Sequence, residues 1–271
     1  VHHFTTILTA FQTPTPAPFG DDFINFSVMH LITVVACVAV IVALAACGRR
    51  CRGCPSERPL RWWWFAFVVV VQVANIVFYA VFIRSPADAT NSEPHVDWSV
   101  ALPLQVCDLA GVLAIPALAT RSRLLRTILY YWAIGLTTQA FITPVLGYGP
   151  IHMRFWMFWL SHVTITATAV YFLAAEGYRP TWRDFGIITL VMLGYLAVVL
   201  PLDLAFGFNY GFVGKAHDLG TRTILDYLGP WPLRLVTMFI VIEAVFALMT
   251  VVWHWPARKL RGASPNTVSA S

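Results

Sequence analysis

Seven long apolar runs, at 24–47, 62–83, 100–120, 124–143, 154–175, 184–209 and 232–255, constrain this chain more than any other feature. A helix needs roughly 20 residues to cross the hydrocarbon core of a bilayer. In lipid every backbone N–H and C=O must be paired within the segment or with a neighbour, so runs of this length read as helices. They lack the two-residue alternation of a membrane barrel. Charged residues are only 11% of the chain against 58% hydrophobic, too little charge to cover a soluble domain of 271 residues. The expected fold is all-α: a seven-helix transmembrane bundle over 23–255, with 1–22 an extracytoplasmic N-terminal segment and 256–271 a cytoplasmic tail. The Thr- and Pro-rich start does not read as a cleavable signal peptide. No internal repeat and no soluble domain is evident.

The cations orient the bundle. Arg49, Arg50, Arg52, Arg58 and Arg61 share one side with Arg121, Arg123, Arg126, Arg179, Arg183, Arg258, Lys259 and Arg261. The other side has only Arg84, Arg154, Lys215, Arg222 and Arg234. The richer side is expected in the cytoplasm, which leaves the N-terminus outside. The net charge of +5 reflects this bias, and anionic lipid headgroups are the expected partners rather than nucleic acid. A bacterial cell membrane is the expected location, crossed many times.

Polar side chains are costly in lipid, so their depth is informative. His30, Cys107 and His162 each lie a similar distance below the outer ends of the first, third and fifth runs, roughly 10 Å at 1.5 Å per residue. Asn75, Gln139, Asp203 and Asn209 approach the same level on other helices, which points to a polar pocket in the outer half. Gly111, one turn below Cys107, leaves room for a neighbouring helix or a ligand beside the thiol. A thiol needs a base to become a nucleophile, and His162 at the same depth is the candidate. Each residue also has a plain structural reading: Cys107, Cys37 and Cys47 as small packing residues, and His30, His162, Asn75 and Gln139 as interhelical hydrogen-bond partners. Glu243, near the middle of the last run, must be protonated or paired. Cys51 and Cys54 form a CxxC unit without the second ligand pair that a structural zinc site needs, and palmitoylation suits them better. Asn25-Phe26-Ser27 matches a glycosylation pattern but lies against the membrane.

The motifs resemble a family. They are His30, the run Leu102-Pro103-Leu104-Gln105-Val106-Cys107, Ser161-His162, Asn209-Tyr210, and Leu228-Gly229-Pro230-Trp231-Pro232. This pattern is similar to the YwaF-like bacterial membrane proteins and to the animal transmembrane protein 164, over nearly all of 23–253. The resemblance implies a seven-helix fold and a membrane acyltransferase that moves fatty acyl chains between phospholipids. It also implies a catalytic Cys and His, here Cys107 and His162. The loop Gly211–Phe212–Val213–Gly214–Lys215–Ala216–His217 lacks the Pro that usually follows the Lys in that family.

The leading expectation is a lipid acyltransferase or acyl-ester hydrolase that works through an acyl-thioester on Cys107, with phospholipids and lysophospholipids as partners. His162 is its base. His30, Gln105, Asp108, Gln139, Asn209 and Glu243 are candidate supporting or binding residues. No cofactor and no metal is expected. The alternative is a binding protein or transporter with a polar intramembrane pocket, which Glu243 and Asp203 favour. A metal hydrolase built on His30, His162 and Asp108 has poor motif support. A buried retinal Schiff base has no lysine to form on, because Lys215 and Lys259 both lie outside the spans.

Overall fold

The computed structural model describes residues 22–85, 95–215 and 224–261. The N-terminal stretch 1–21, Ala216, His217, Arg222 and the tail beyond Arg261 therefore lie outside the described residues. The described chain is mostly helical. Five helices are long and apolar enough to cross a membrane: α1 (Val28–Cys51), α2 (Glu57–Phe82), α7 (Met153–Ala174), α8 (Trp182–Phe206) and α9 (Leu233–Arg261, apolar to His254). They match the first, second, fifth, sixth and seventh runs to within a few residues. Local signals explain the ends. Ser27 caps α1 by accepting from the His30 N–H, which gives the Asn25-Phe26-Ser27 triplet a structural use. Thr181 and Asp184 form a capping box on α8, and Gly207 ends it in the left-handed conformation.

The third and fourth runs depart from the expectation of plain spanning helices. The third divides into a single turn α3 (Trp98–Ala101) and α4 (Val106–Thr120). Pro103 supplies no N–H, and the freed polar groups find side chains instead. Tyr210 Oη accepts from the Leu102 N–H at 3.1 Å and donates to the Trp98 carbonyl, while Tyr195 Oη donates to the Leu104 carbonyl at 2.8 Å. The 15 residues of α4 span only about 22 Å. The fourth run becomes α5 (Arg123–Leu129), a π-helical stretch at Tyr130–Thr137, and α6 (Gln139–Ile142). The wider π turn lets aromatic side chains find partners across the fold. Tyr131 Oη pairs with Thr250 Oγ1 at 2.6 Å, Tyr130 Oη donates to the Met249 carbonyl at 2.9 Å, and Trp132 Nε1 donates to Met192 Sδ at 3.0 Å.

The central helix is α7. It packs against α1, α2, α4, α5 and the π-helical stretch, and most of its length is buried. By contrast α1, α2, α8 and α9 turn apolar side chains outward, among them Leu31, Val35, Val42, Val70, Leu190 and Ile240. Outward apolar faces on long helices suit a lipid surround. Short pairings tie the end that holds Asp22: a two-residue antiparallel ladder of β1 (Arg84–Ser85) with β2 (His95–Val96), and a bridge from Asp22 to Tyr148. At the opposite, arginine-rich end Asp184 is buried and satisfied by Arg123, Thr127 and Thr181. Arg121 and Arg126 both pair with Glu176 there.

Candidate functional site

A partly open cavity of about 650 Å³ lies between the helices near the end that holds Asn209 and Gln139. That volume is in the range of small-molecule sites. Of the residues singled out in the sequence, Asn75, Gln105, Cys107, Asp108, Gln139, His162 and Asn209 line it. His30, Asp203 and Glu243 are not among its lining residues. The break at Pro103 and the π-helical stretch both open onto it, since Pro103, Gly135, Leu136 and Thr137 form part of its wall.

The two membrane histidines have opposite fates. In His30 the ring Nδ1 accepts from the Phe26 N–H at 2.8 Å, so Nε2 carries the proton and donates to the Phe141 carbonyl at 3.0 Å. Both nitrogens are engaged. His30 ties α1 to the end of α6, within an aromatic nest of Phe23, Phe26 and Trp159. His162 has its Nδ1 2.7 Å from the Phe158 carbonyl. A carbonyl only accepts, so Nδ1 carries the proton and Nε2 is the basic nitrogen, on the ring edge away from that bond. The Phe158 ring stacks on the imidazole at 4.2 Å between centroids and fixes its plane.

Cys107 occupies the first turn of α4, and the first backbone bond of that helix runs from the Leu109 N–H to the Gln105 carbonyl. The N–H groups before Leu109 thus have no helical carbonyl. Those of Cys107 itself and of Asp108 are among them. Asp108, in the same turn, also lines the cavity. No hydrogen bond joins Asp108 to His162 among the described residues; the Phe158 carbonyl holds that ring. Gln105 Oε1 accepts from the Gly211 N–H at 2.9 Å, Asn209 Oδ1 accepts from Gly214 N–H at 3.1 Å, and Asp203 Oδ1 accepts from the Tyr210 N–H at 3.1 Å. These three side chains therefore shape the 207–214 loop that closes one wall. Gln139 Nε2 donates to Thr143 Oγ1. Cys107 and His162 share the cavity, and no hydrogen bond joins them among the described residues.

A model of the TMEM164 family matches residues 25–250. The chain belongs to the TMEM164 family. No curated protein and no solved structure matches it. As a TMEM164-family chain with these apolar helices it is a multi-pass integral membrane protein.

A buried residue behind the site that sequence reading missed is Gln72. A Cβ built on Gly111 would lie 2.3 Å from Gln72 Oε1, so the missing side chain makes room for Gln72 of α2 rather than for a ligand beside the thiol. Gln72 is buried, donates from Nε2 to Thr164 Oγ1 at 2.9 Å and accepts at Oε1 from Ser161 Oγ at 3.3 Å. It thereby locks α2 onto the stretch of α7 that holds His162. The signal was present: Gln72 lies one turn before Asn75, on the same face of α2. Asn75 is also buried, and its Oδ1 has no hydrogen-bond partner among the described residues. Glu243 takes a 2.7 Å hydrogen bond from Thr189 on α8 at a separate place in the bundle. Among the described residues no cluster of three or more His, Cys, Asp or Glu is arranged to hold a metal, and the cysteines are free thiols.

Proposed function

We propose that this chain is a membrane acyltransferase or acyl-ester hydrolase that forms a thioester on Cys107, with phospholipids as acyl donors and lysolipids or water as acceptors. The observation that carries the reading is the singly engaged His162: its Nδ1 is committed to Phe158, which leaves Nε2 as a base in a lined cavity shared with Cys107. Five spanning helices are joined by α4 and by the 123–142 helical run, which we take as the remaining two crossings of a seven-helix bundle over 23–255. The arginine-rich end is then cytoplasmic, with the N-terminus outside.

In this reading His162 Nε2 takes the thiol proton, and the thiolate attacks the ester carbonyl carbon of a lipid whose chain enters between helices. The N–H groups in the first turn of α4, which have no helical carbonyl, receive the developing oxyanion. The carbon–oxygen bond breaks, and the leaving alkoxide takes the proton from Nε2. An acceptor hydroxyl then gives its proton to Nε2 and attacks the thioester carbonyl, and the carbon–sulfur bond breaks. The thiolate finally recovers the proton. Asn75 Oδ1, still short of a donor, suits the acceptor hydroxyl.

The test is acyl exchange by purified protein in lipid, read by lipid mass spectrometry, with intact-protein mass spectrometry for an acyl adduct. Cys107→Ala and His162→Ala should each abolish exchange, and the adduct should map to Cys107. Unchanged exchange in both variants would sink the mechanism. A second reading, a ligand-binding or transport protein, draws on the lack of a hydrogen bond between Cys107 and His162. It expects ligand-dependent stabilisation that survives Cys107→Ser, with no adduct.

A further inference from the structure

We infer that Arg154 is the anchor for a phosphate group at the mouth of this cavity, a subsite that sets which lipids enter. The inference rests on the reading of the cavity as a lipid site and adds a recognition element to it. Arg154 begins the stripe Arg154, Phe158, His162 along one face of α7, and all three line the cavity. Its guanidinium has no ion pair with a carboxylate among the described residues. It lies over the rings of Tyr79 at 5.7 Å and Tyr148 at 5.1 Å. Asp108 lines the same cavity but makes no ion pair with Arg154 among the described residues.

A guanidinium held by two aromatic faces keeps its N–H donors available, and its planar fork matches the oxygens of a phosphate. Aromatic faces hold a cation in place without cancelling its charge. Position supports the same ligand. Arg154 and His162 are eight residues apart on α7, about 12 Å along the axis. A phosphate, a glycerol backbone and an ester carbonyl fit in series over that length. The phosphate would rest at Arg154 while the ester reaches Cys107. Tyr79 and Asn75, one turn apart on α2, face the same space from the other wall.

The test uses the full chain carrying Cys107→Ala, so that no turnover occurs, and titrates it with dihexanoyl phosphatidylcholine and with a dihexanoyl glycerol that lacks phosphate. Adding Arg154→Gln should weaken binding of the phosphate-bearing lipid roughly ten- to a hundredfold, the loss of one charge-assisted contact, and leave the neutral lipid unchanged. Arg154→Lys, which keeps the charge but not the fork, should lie between. Competition by inorganic phosphate that depends on Arg154 would identify free phosphate as a ligand of the same subsite; absence of competition would assign it to the lipid headgroup. The proposal is overturned if Arg154→Gln changes affinity for the phosphate-bearing lipid less than twofold, or weakens both lipids equally. If the parent chain shows no acyl exchange but Arg154-dependent binding persists, the thioester reading fails and the phosphate subsite stands.

Discussion

Replacing Gly111 by Ala tests the packing that holds the candidate site together. The new methyl carbon would sit 2.3 Å from Gln72 Oε1 and 2.6 Å from its Cδ, so the amide must retreat by about 1 Å to reach ordinary contact. Gln72 is only 2% exposed and has no free space in which to retreat without leaving Thr164 and Ser161. Overpacking of this kind costs about 1–3 kcal/mol, and each weakened hydrogen bond adds about 0.5–1.5 kcal/mol. Against these stands a gain of about 1 kcal/mol in helix propensity. Gly111→Ala is therefore expected to destabilise the protein by about 2–3 kcal/mol in reversible unfolding in mixed micelles. The decisive comparison is a double-mutant cycle with Gln72→Ala, which removes the colliding amide. In that background Gly111→Ala should become neutral or stabilising by up to about 1 kcal/mol. If it costs the same with and without Gln72, the account of Gly111 as the seat of Gln72 is wrong.

Other outcomes follow from named contacts. His30→Phe should lose about 1–3 kcal/mol, because the Phe141 carbonyl and the Phe26 N–H are left unpaired; acyl exchange per folded molecule should not change, since His30 does not line the cavity. Asp184→Asn should lower stability by about 2–3 kcal/mol in the same unfolding assay, since it weakens the bonds from Arg123 and Thr181 that cap α8. Tyr210→Phe removes the hydroxyl that holds Trp98 and Leu102. Hydrogen exchange should then rise at 98–105, with a loss of about 1–2 kcal/mol.

Much of this protein is set by the order of its residues. Apolar runs of spanning length require helices in lipid, whatever their neighbours, so α1, α2, α7, α8 and α9 were legible to within a few residues. Depth along a helix is also a local property, at 1.5 Å per residue, and that is why Cys107, His162, Asn75, Gln139 and Asn209 could be expected at one level. They do line one cavity. What could not be read was the direction each side chain takes and the partner it meets. His30 and His162 look alike as isolated polar residues, yet one spends both ring nitrogens on backbone and the other only one. Gly111, one turn below Cys107, serves Gln72 from another helix. The chain breaks at Pro103, and the Leu104 carbonyl and Leu102 N–H there needed Tyr195 and Tyr210, about a hundred residues away, to be satisfied. The sequence by itself determined the five long helices and the depth of their residues, because these follow from lipid and from backbone hydrogen bonding. Only the packing of distant helices decided which polar group was used up in holding the fold and which kept an atom without a partner among the described residues.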